Sequence, residues 1–236
     1  MVIVIEAETA DELFIKVAKA MIEKGERRFV RGLETIELAD AWMVLNNPLD
    51  CVVNLAERNI SADYLKGELN WYNSGSLKVD DIAKYSKFWL NLADSNGTVN
   101  SNYGFLTKVE KWSGISQFEW CINRLKKDKY TRQAIMNYNQ PRHKYAEVKD
   151  FVCTISQQFI VREEKLDSIV LMRSNDLIYG LTYDIVWFCN LLDEIADILE
   201  LPIGKYIHYD TSIHVYERHF EMLNNMANAN YEICSK

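Results

Sequence analysis

From Thr9 onward the apolar residues return at helical spacing. Leu13, Ile15, Val17, Ala18, Met21 and Ile22 follow the capping box Thr9-Ala-Asp-Glu12, and Gly25 supplies a stop, so the pattern predicts a helix over 10–24. Before it, Met1-Val-Ile-Val-Ile-Glu6 reads as a short strand. A second capping box, Ser116-Gln-Phe-Glu119, opens a helix that ends in Lys126-Lys127-Asp128-Lys129, where lysines suit a helix C-terminal dipole. Between Asp150 and Arg173 the pattern turns β-rich. Residues 151–161 and 166–172 predict two strands joined by the polar turn Arg162–Lys165. Residues 185–199 read as a buried apolar helix and 205–216 as a further strand. Strands and helices mix without regular βαβ alternation, which predicts an α+β fold: one large mixed β-sheet packed against helices.

Composition narrows the picture. The 236 residues are 48% hydrophobic and include 13 Tyr, 9 Phe and 6 Trp, as a compact globule requires. Three prolines and nine glycines leave little material for linkers. No repeat or composition shift divides the chain, so residues 1–236 read as a single domain. No apolar run approaches the roughly 20 residues of a membrane span, and the amino terminus lacks the basic start of a secretory signal. Five scattered cysteines, without a C-x-x-C pair, argue against a disulfide framework or a structural zinc site and point to a reducing cytoplasm. The net charge of −7 opposes direct nucleic-acid binding, yet a few arginines in one pocket can still hold a small anion.

Candidate chemistry is scattered, and each residue has an ordinary structural reading beside the functional one. Cys153 lies at the polar-flanked start of the first hairpin strand. A lone cysteine there is usually a small buried hydrophobe, but Arg173, returned beside it by the hairpin, offers the positive charge a thiolate nucleophile needs. In Met172-Arg-Ser-Asn-Asp176, Arg173 and Ser174 form a phosphate cradle or, equally, Arg173 pairs with Asp176 at a sheet edge. His214 and Tyr216 are two apart in a strand and share a face. Asp184 precedes an apolar helix, where an N-cap is the default role. Glu68, in Gly67-Glu-Leu-Asn-Trp-Tyr72, reads by default as a solvated helix residue.

Taken in order, these motifs resemble the thymidylate synthase superfamily from about Arg28 to His219. Glu68-Leu-Asn-Trp-Tyr72, Asn102-Tyr-Gly104, Thr131-Arg132, Asp150-Phe-Val-Cys-Thr154, Met172-Arg-Ser-Asn-Asp176 and Ser212-Ile-His-Val-Tyr-Glu-Arg-His219 carry the likeness. Within the superfamily it is nearest to phage-type deoxycytidylate hydroxymethylases. The resemblance implies a thymidylate synthase-like fold, a sheet-to-sheet homodimer, a pyrimidine nucleoside monophosphate substrate and 5,10-methylenetetrahydrofolate as co-substrate, with no metal. It implies catalytic roles for Cys153, Glu68, Asp184 and Tyr103. Phosphate would meet Arg173, Ser174, Arg132 donated across the dimer, and Arg31 or Arg28; His214 and Tyr216 would meet the sugar, and Gln158 would join the substrate site. Trp89, Asp176 and Gly180 would hold the folate. For a phage-encoded chain the compartment would be the host cytoplasm.

Asp184 decides the base. Synthases acting on dUMP carry asparagine there, whose amide matches uracil N3–H and O4. Cytosine presents an N4 amino donor and a bare N3 acceptor, which a proton-sharing carboxyl meets. The leading expectation is therefore dCMP C5 hydroxymethylation through a Cys153–C6 adduct. A dCMP methylase, a hydroxymethylase of dUMP or CMP, and a non-catalytic nucleotide-binding protein are the alternatives. The last would be expected to lack Cys153, Arg173 or Glu68.

Overall fold

A computed structural model describes residues 2–230, so Met1 of the expected first strand and Cys234 lie outside the described residues. Strand β1 runs Ile3–Ala7 and helix α1 runs Ala10–Lys24. The Thr9 hydroxyl accepts from the Glu12 N–H at 3.2 Å, and the Glu12 carboxylate turns back to the Glu8 N–H at 2.8 Å. Leu13, Phe14, Val17, Ala18 and Met21 are fully buried. That stripe seats α1 on the sheet, each large side chain contributing about 2 kcal/mol.

Two strands absent from the sequence reading follow: β2 (Glu26–Val30) and β3 (Leu33–Leu45), joined at Arg31 and Gly32 with φ of 53° and 80°. Every β2 residue is exposed, so it has no alternation to read. In β3 Thr35, Leu38, Ala41, Met43 and Leu45 are buried, so strict alternation sets in only after Asp40 (φ 54°). That irregularity interrupts a period-two signal.

Helices α2 (Ala62–Ser74) and α3 (Val79–Ala83) come next, then the small hairpin of β4 (Lys111–Trp112) and β5 (Ile115–Ser116). Helix α4 (Gln117–Lys127) has the reciprocal Ser116–Glu119 capping box, with Arg124, Lys126 and Lys127 in its last turn. Strands β6 (Ile135–Asn137), β7 (Thr154–Arg162), β8 (Lys165–Met172) and β9 (Asn175–Asp176) precede α5 (Thr182–Ile198), β10 (Ile203–Tyr216) and α6 (Phe220–Ala227). The expected hairpin is β7–β8, turning at Glu163 and Glu164 with φ of 48° and 63°.

The main sheet has the order β1-β3-β10-β8-β7-β6, with β2 added to β3 and β9 to β10. β1/β3 and β10/β8 are parallel, while β3/β10, β8/β7 and β7/β6 are antiparallel, a mixed sheet as expected. Register fixes what each face carries. Ile5, Met43, His208, Val170 and Gln157 form one row on the face covered by α1 and α5; Ala41, Asp210, Met172 and Thr154 form the next. Trp42, Tyr209, Leu171 and Ser156 lie on the opposite face, beside Val44, Ile207, Ile169 and Gln158. All eight are only partly buried.

Candidate active site

The sheet brings three chain segments to one end. The chain just before β7 carries Cys153, the end of β8 leads through Arg173 and Ser174 into β9, and the end of β10 carries His214 and Tyr216. Cys153 is not in the strand, as the sequence suggested; it sits one residue before β7. Its carbonyl accepts from the Arg173 N–H at 3.1 Å, while the ladder becomes irregular between Thr154 and Ser156. Cys153 is therefore tied to β8 by the backbone but free of regular pleat.

Arg173 wraps this segment. Its Nε donates to the Val152 carbonyl at 3.3 Å, and its Nη2 donates to the Phe151 carbonyl and lies 3.4 Å from Cys153 Sγ. The guanidinium also stands 4.8 Å from the Phe151 ring centre. Asp176 is engaged elsewhere: its Oδ1 accepts from the Ile178 and Tyr179 N–H groups at 2.8 and 3.1 Å. Of the two sequence readings for Arg173, the edge ion pair with Asp176 does not form among the described residues. Burial pushes the Cys153 thiol up to about 11; Arg173 opposes that shift, and Asp184, Asp150 and Asp210 reinforce it. The residue nonetheless keeps partial exposure, as a reacting sulphur needs.

Asp184 is not an N-cap. A single π-helical turn, Leu177–Leu181, runs directly into α5, which begins at Thr182, so Asp184 falls within the first helical turn. Its side chain is buried, and burial first, then the charges of Glu68 and Asp210, hold its carboxyl well above the ordinary carboxylate range. Arg58 fixes this helix start. Its Nε donates to Thr182 Oγ1 at 3.1 Å, its Nη2 to the Ile178 carbonyl, and its guanidinium lies 5.6 Å from the Tyr183 ring centre.

Glu68, on α2, is 5% exposed rather than solvated. The Tyr64 hydroxyl donates to its Oε1 at 2.7 Å, and Trp89 Nε1 donates to that hydroxyl at 3.0 Å. Burial raises Glu68 to about 7, the Tyr64 hydrogen bond opposing the shift. A carboxyl poised there can both take and give a proton near neutrality. Tyr103 is buried; its hydroxyl accepts from Thr154 Oγ1 at 2.9 Å and its ring stacks on Tyr72 at 5.0 Å. Gly104 permits this stacking, since a Cβ there would meet the Tyr72 carbonyl oxygen at 1.7 Å. Asp150 secures the same loop by accepting from the Asn100 and Ser101 N–H groups, both at 2.7 Å.

His214 and Tyr216 meet edge-to-face at 5.2 Å, and His214 pairs with Asp176 of β9. Ser174 lies half-buried between Arg173 and β9. Gly180 packs on Asn175, whose Oδ1 a Cβ would meet at 2.0 Å; Asp184 Oδ2 would lie 3.5 Å away. Other expected residues stand apart. Arg28 pairs with Glu26 and approaches Glu37 at 4.0 Å, and Arg31 is exposed at the β2–β3 turn. Arg132 is exposed beside β6, and Gln158 uses its amide to donate to the Arg132 carbonyl at 2.9 Å. Gln158 thus faces the open side of the sheet, because alternation in β7 turns Gln157 inward and Gln158 outward.

Sequence reasoning missed Tyr64, Arg58, Asp150 as a loop anchor, and the buried chain Tyr206–His208–Asp210. Only Tyr64 left a legible signal, four residues before Glu68 on one helix face. Among the described residues no three His, Cys, Asp or Glu side chains converge on a metal position, and no helix is long and apolar enough to cross a membrane. A groove of about 660 Å³ is lined by Trp112, Ile115, Trp120, Ile135 and Arg142. It contains none of the residues above and is open apolar surface beside the edge strand.

The thymidylate synthase family model matches residues 12–233. The chain is 31% identical over 235 residues to the deoxycytidylate 5-hydroxymethyltransferase of Enterobacteria phage T2, covering 94% of this chain and 92% of that one. The T4 phage protein of the same name is 31% identical over 230 residues, covering 92% and 90%. The deoxyuridylate hydroxymethyltransferase of Bacillus phage SP01 is 26% identical over 217 residues, covering 87% of this chain and 56% of that one. In fold, the chain superposes on thermostable thymidylate synthase A from Bacillus subtilis with a TM-score of 0.76 at 23% identity, covering 94% and 85%. With a family model spanning nearly its whole length and phage relatives alike along it, this chain belongs to the thymidylate synthase family.

Proposed function

We propose that the chain, acting as one catalytic domain over residues 1–236, adds a hydroxymethyl group to C5 of dCMP. The observation that carries this reading is Asp184, a buried carboxyl that burial holds well above the ordinary carboxylate range, with Glu68 near enough to reinforce the shift. Cytosine offers N4–H to one carboxyl oxygen and takes the proton of the other at N3. With the proton on the oxygen that faces N3, the other oxygen is an acceptor, and uracil O4 would meet it acceptor to acceptor. The names of the T2 and T4 relatives agree with the cytosine reading.

In this reading Cys153 Sγ bonds to C6 of the base, breaking the C5–C6 double bond and leaving C5 nucleophilic. The Asp184 proton, held at N3, draws electron density away from C6 and favours that attack. Arg173 Nη2, 3.4 Å from the sulphur, stabilises the thiolate as it forms. The carbon unit is supplied at the formaldehyde oxidation level by 5,10-methylenetetrahydrofolate, with Trp89, Asp176 and Gly180 as the residues that would hold it. Trp89 fits such a role, being half-buried and packed at 5.0 Å on Trp71. Loss of the C5 hydrogen as a proton would expel tetrahydrofolate from the new carbon and leave an exocyclic methylene on C5. Glu68 takes a proton from the water that adds to that methylene, and the electron pair returned to C5 re-forms the C5–C6 double bond as Cys153 leaves C6. Arg173, Ser174 and a partner subunit's arginine at position 132 hold the phosphate, while His214 and Tyr216 hold the sugar.

That last assignment requires a homodimer. The half-buried rows Trp42, Tyr209, Leu171 and Val44, Ile207, Ile169 give the open face an apolar centre suited to a second copy. Exposed Arg132 stands at the rim of that face, tied to Gln158.

Purified protein incubated with 5,10-methylenetetrahydrofolate and dCMP, dUMP or CMP tests the function, with products read by mass spectrometry. A hydroxymethyl gain on dCMP with release of tetrahydrofolate is expected. A methyl gain with dihydrofolate, or turnover of only another nucleotide, would overturn it.

A further inference from the structure

Tyr64, Glu68 and Tyr72 recur every four residues along α2 and so share one face of that helix. The Tyr64 ring meets the Tyr183 ring edge-on at 4.8 Å, and the Tyr72 ring lies 5.0 Å from that of Trp187. Tyr183 and Trp187 are likewise four apart, near the start of α5. Glu68, midway between the two contacts, therefore faces the helical turn that carries Asp184. Ser61, the N-cap of α2, ties the two helices further. Its N–H donates to the Tyr183 hydroxyl at 3.4 Å, and its hydroxyl accepts from the Tyr64 N–H at 3.1 Å. Tyr72 in turn stacks on Tyr103, whose hydroxyl accepts from Thr154, the residue after Cys153.

The hydrogen bonds at Tyr64 run in one direction. An indole N–H can only donate, so Trp89 Nε1, at 3.0 Å, takes a lone pair of the Tyr64 hydroxyl. The hydrogen of that hydroxyl goes to Glu68 Oε1 at 2.7 Å, its one acceptor among the described residues. Burial first, then the charge of Glu68, hold the Tyr64 hydroxyl above the ordinary phenol range, so it stays a donor. Nothing else among the described residues bonds to the Glu68 carboxyl. Oε1 is therefore occupied and Oε2 is left for the site. A carboxyl that is 5% exposed and has a single donor is costly to ionise. Packing of α2 on α5 alone would be served as well by phenylalanine at position 64 and an apolar residue at 68.

We propose that Tyr64 is a positioning residue for the water-addition step: its hydroxyl, aimed by Trp89, pins Glu68 Oε1 and leaves Oε2 to take the proton of the attacking water. The inference rests on the reading of Glu68 as the base of that step. One O–H bond of the water breaks, its proton passes to Oε2, and its oxygen bonds to the exocyclic methylene carbon. The Tyr64 bond is stronger to the ionised carboxyl than to the protonated one, so Tyr64 lowers the pH at which Glu68 becomes a base. The titratable and charged groups around Glu68 are Tyr64 and Tyr72 on its own helix, Asp184 and Tyr183 on α5, and Tyr103 against Tyr72. Arg58 lies beside Tyr183, and Tyr85 packs on Gly67. Of these, Tyr64 is the one that bonds to the carboxyl.

The test is kcat against pH at saturating dCMP and 5,10-methylenetetrahydrofolate, for the full-length wild type, Glu68→Gln and Tyr64→Phe. Glu68→Gln identifies the acid limb that Glu68 contributes, because that limb is lost. Tyr64→Phe keeps the ring against Tyr183 and removes one oxygen. The same limb should then move up by about one unit, kcat at about pH 6 should fall about tenfold, and KM for dCMP should stay within about twofold. A uniform loss of activity with the limb unmoved would mean a packing role only and overturn the proposal, as would a wild-type profile. Trp89→Phe, which keeps a ring and removes the N–H, covers the case in which Tyr64→Phe does not fold. It should move the limb in the same direction by less, and an unmoved limb overturns the proposal there too. A wild type that does not turn over dCMP sinks the hydroxymethylase reading, and a limb that survives in Glu68→Gln sinks Glu68 as the base; the proposal falls with either. Turnover with that limb lost in Glu68→Gln but unmoved in Tyr64→Phe sinks only the role of Tyr64.

Discussion

Glu68 and Asp184 are two buried carboxyls, and burial raises both above the ordinary carboxylate range. Glu68 is raised from 4.5 to about 7 by burial, so the folded protein keeps a proton that the unfolded chain releases between those values. Its contribution is fully present below about pH 4.5 and is lost as pH rises through 7. The 2.5-unit difference corresponds to roughly 3 kcal/mol. Glu68→Gln should therefore leave stability near pH 5 almost unchanged and raise Tm at about pH 8. Thermal unfolding at both pH values checks this, and an equal Tm difference at both would exclude a titrating Glu68. The same substitution should lower kcat by about 100-fold through loss of the proton shuttle. At Asp184, replacement by Asn removes the proton offered to N3 and presents an amide that pairs with uracil. Competition of dCMP with dUMP in one assay should show preference moving towards dUMP, and unchanged selectivity would refute this account of base recognition.

At the scale of elements, the start of α5 is the most constrained part of the site. Arg58 ties the π-helical turn to Thr182, and Asn175 fills the space left by Gly180. Arg58→Met should cost about 3 kcal/mol, because a buried carbonyl and a hydroxyl lose charged donors. Denaturant unfolding measures that loss, and a change below about 0.5 kcal/mol would show that Arg58 is not the anchor. Helices α1 and α4 were legible in sequence because capping boxes and a 3.6-residue apolar period are local signals. The β7–β8 hairpin was legible for a similar reason. β2 and β3 were not, since one strand buries nothing and the other alternates strictly only after Asp40. Asp184 was misplaced as an N-cap for a related reason: a π-helical turn enters α5 with helical backbone, so no capping side chain marks the boundary.

At the scale of the whole molecule, the covered face of the sheet holds the chemistry and the open face remains for a partner. If Arg132 serves the neighbouring subunit, Arg132→Ala and Cys153→Ala proteins, each inactive, regain activity when mixed. A mixed dimer then has one intact site, so up to about one quarter of wild-type activity returns at random reassortment. No recovery after verified subunit exchange would refute shared sites. The ordered motifs along the sequence determined the family and the kind of reaction and singled out Cys153, Arg173 and Asp184 as candidates, because residue type and order survive in one dimension. The burial that turns Glu68 from an expected solvated acid into a carboxyl raised to about 7 was decided only in three dimensions. So were the wrapping of Arg173 around the nucleophile and the buried Asp210 chain. Desolvation and electrostatic coupling depend on which segments the sheet register brings together, and neighbours more than a hundred residues apart leave no periodic trace in the chain.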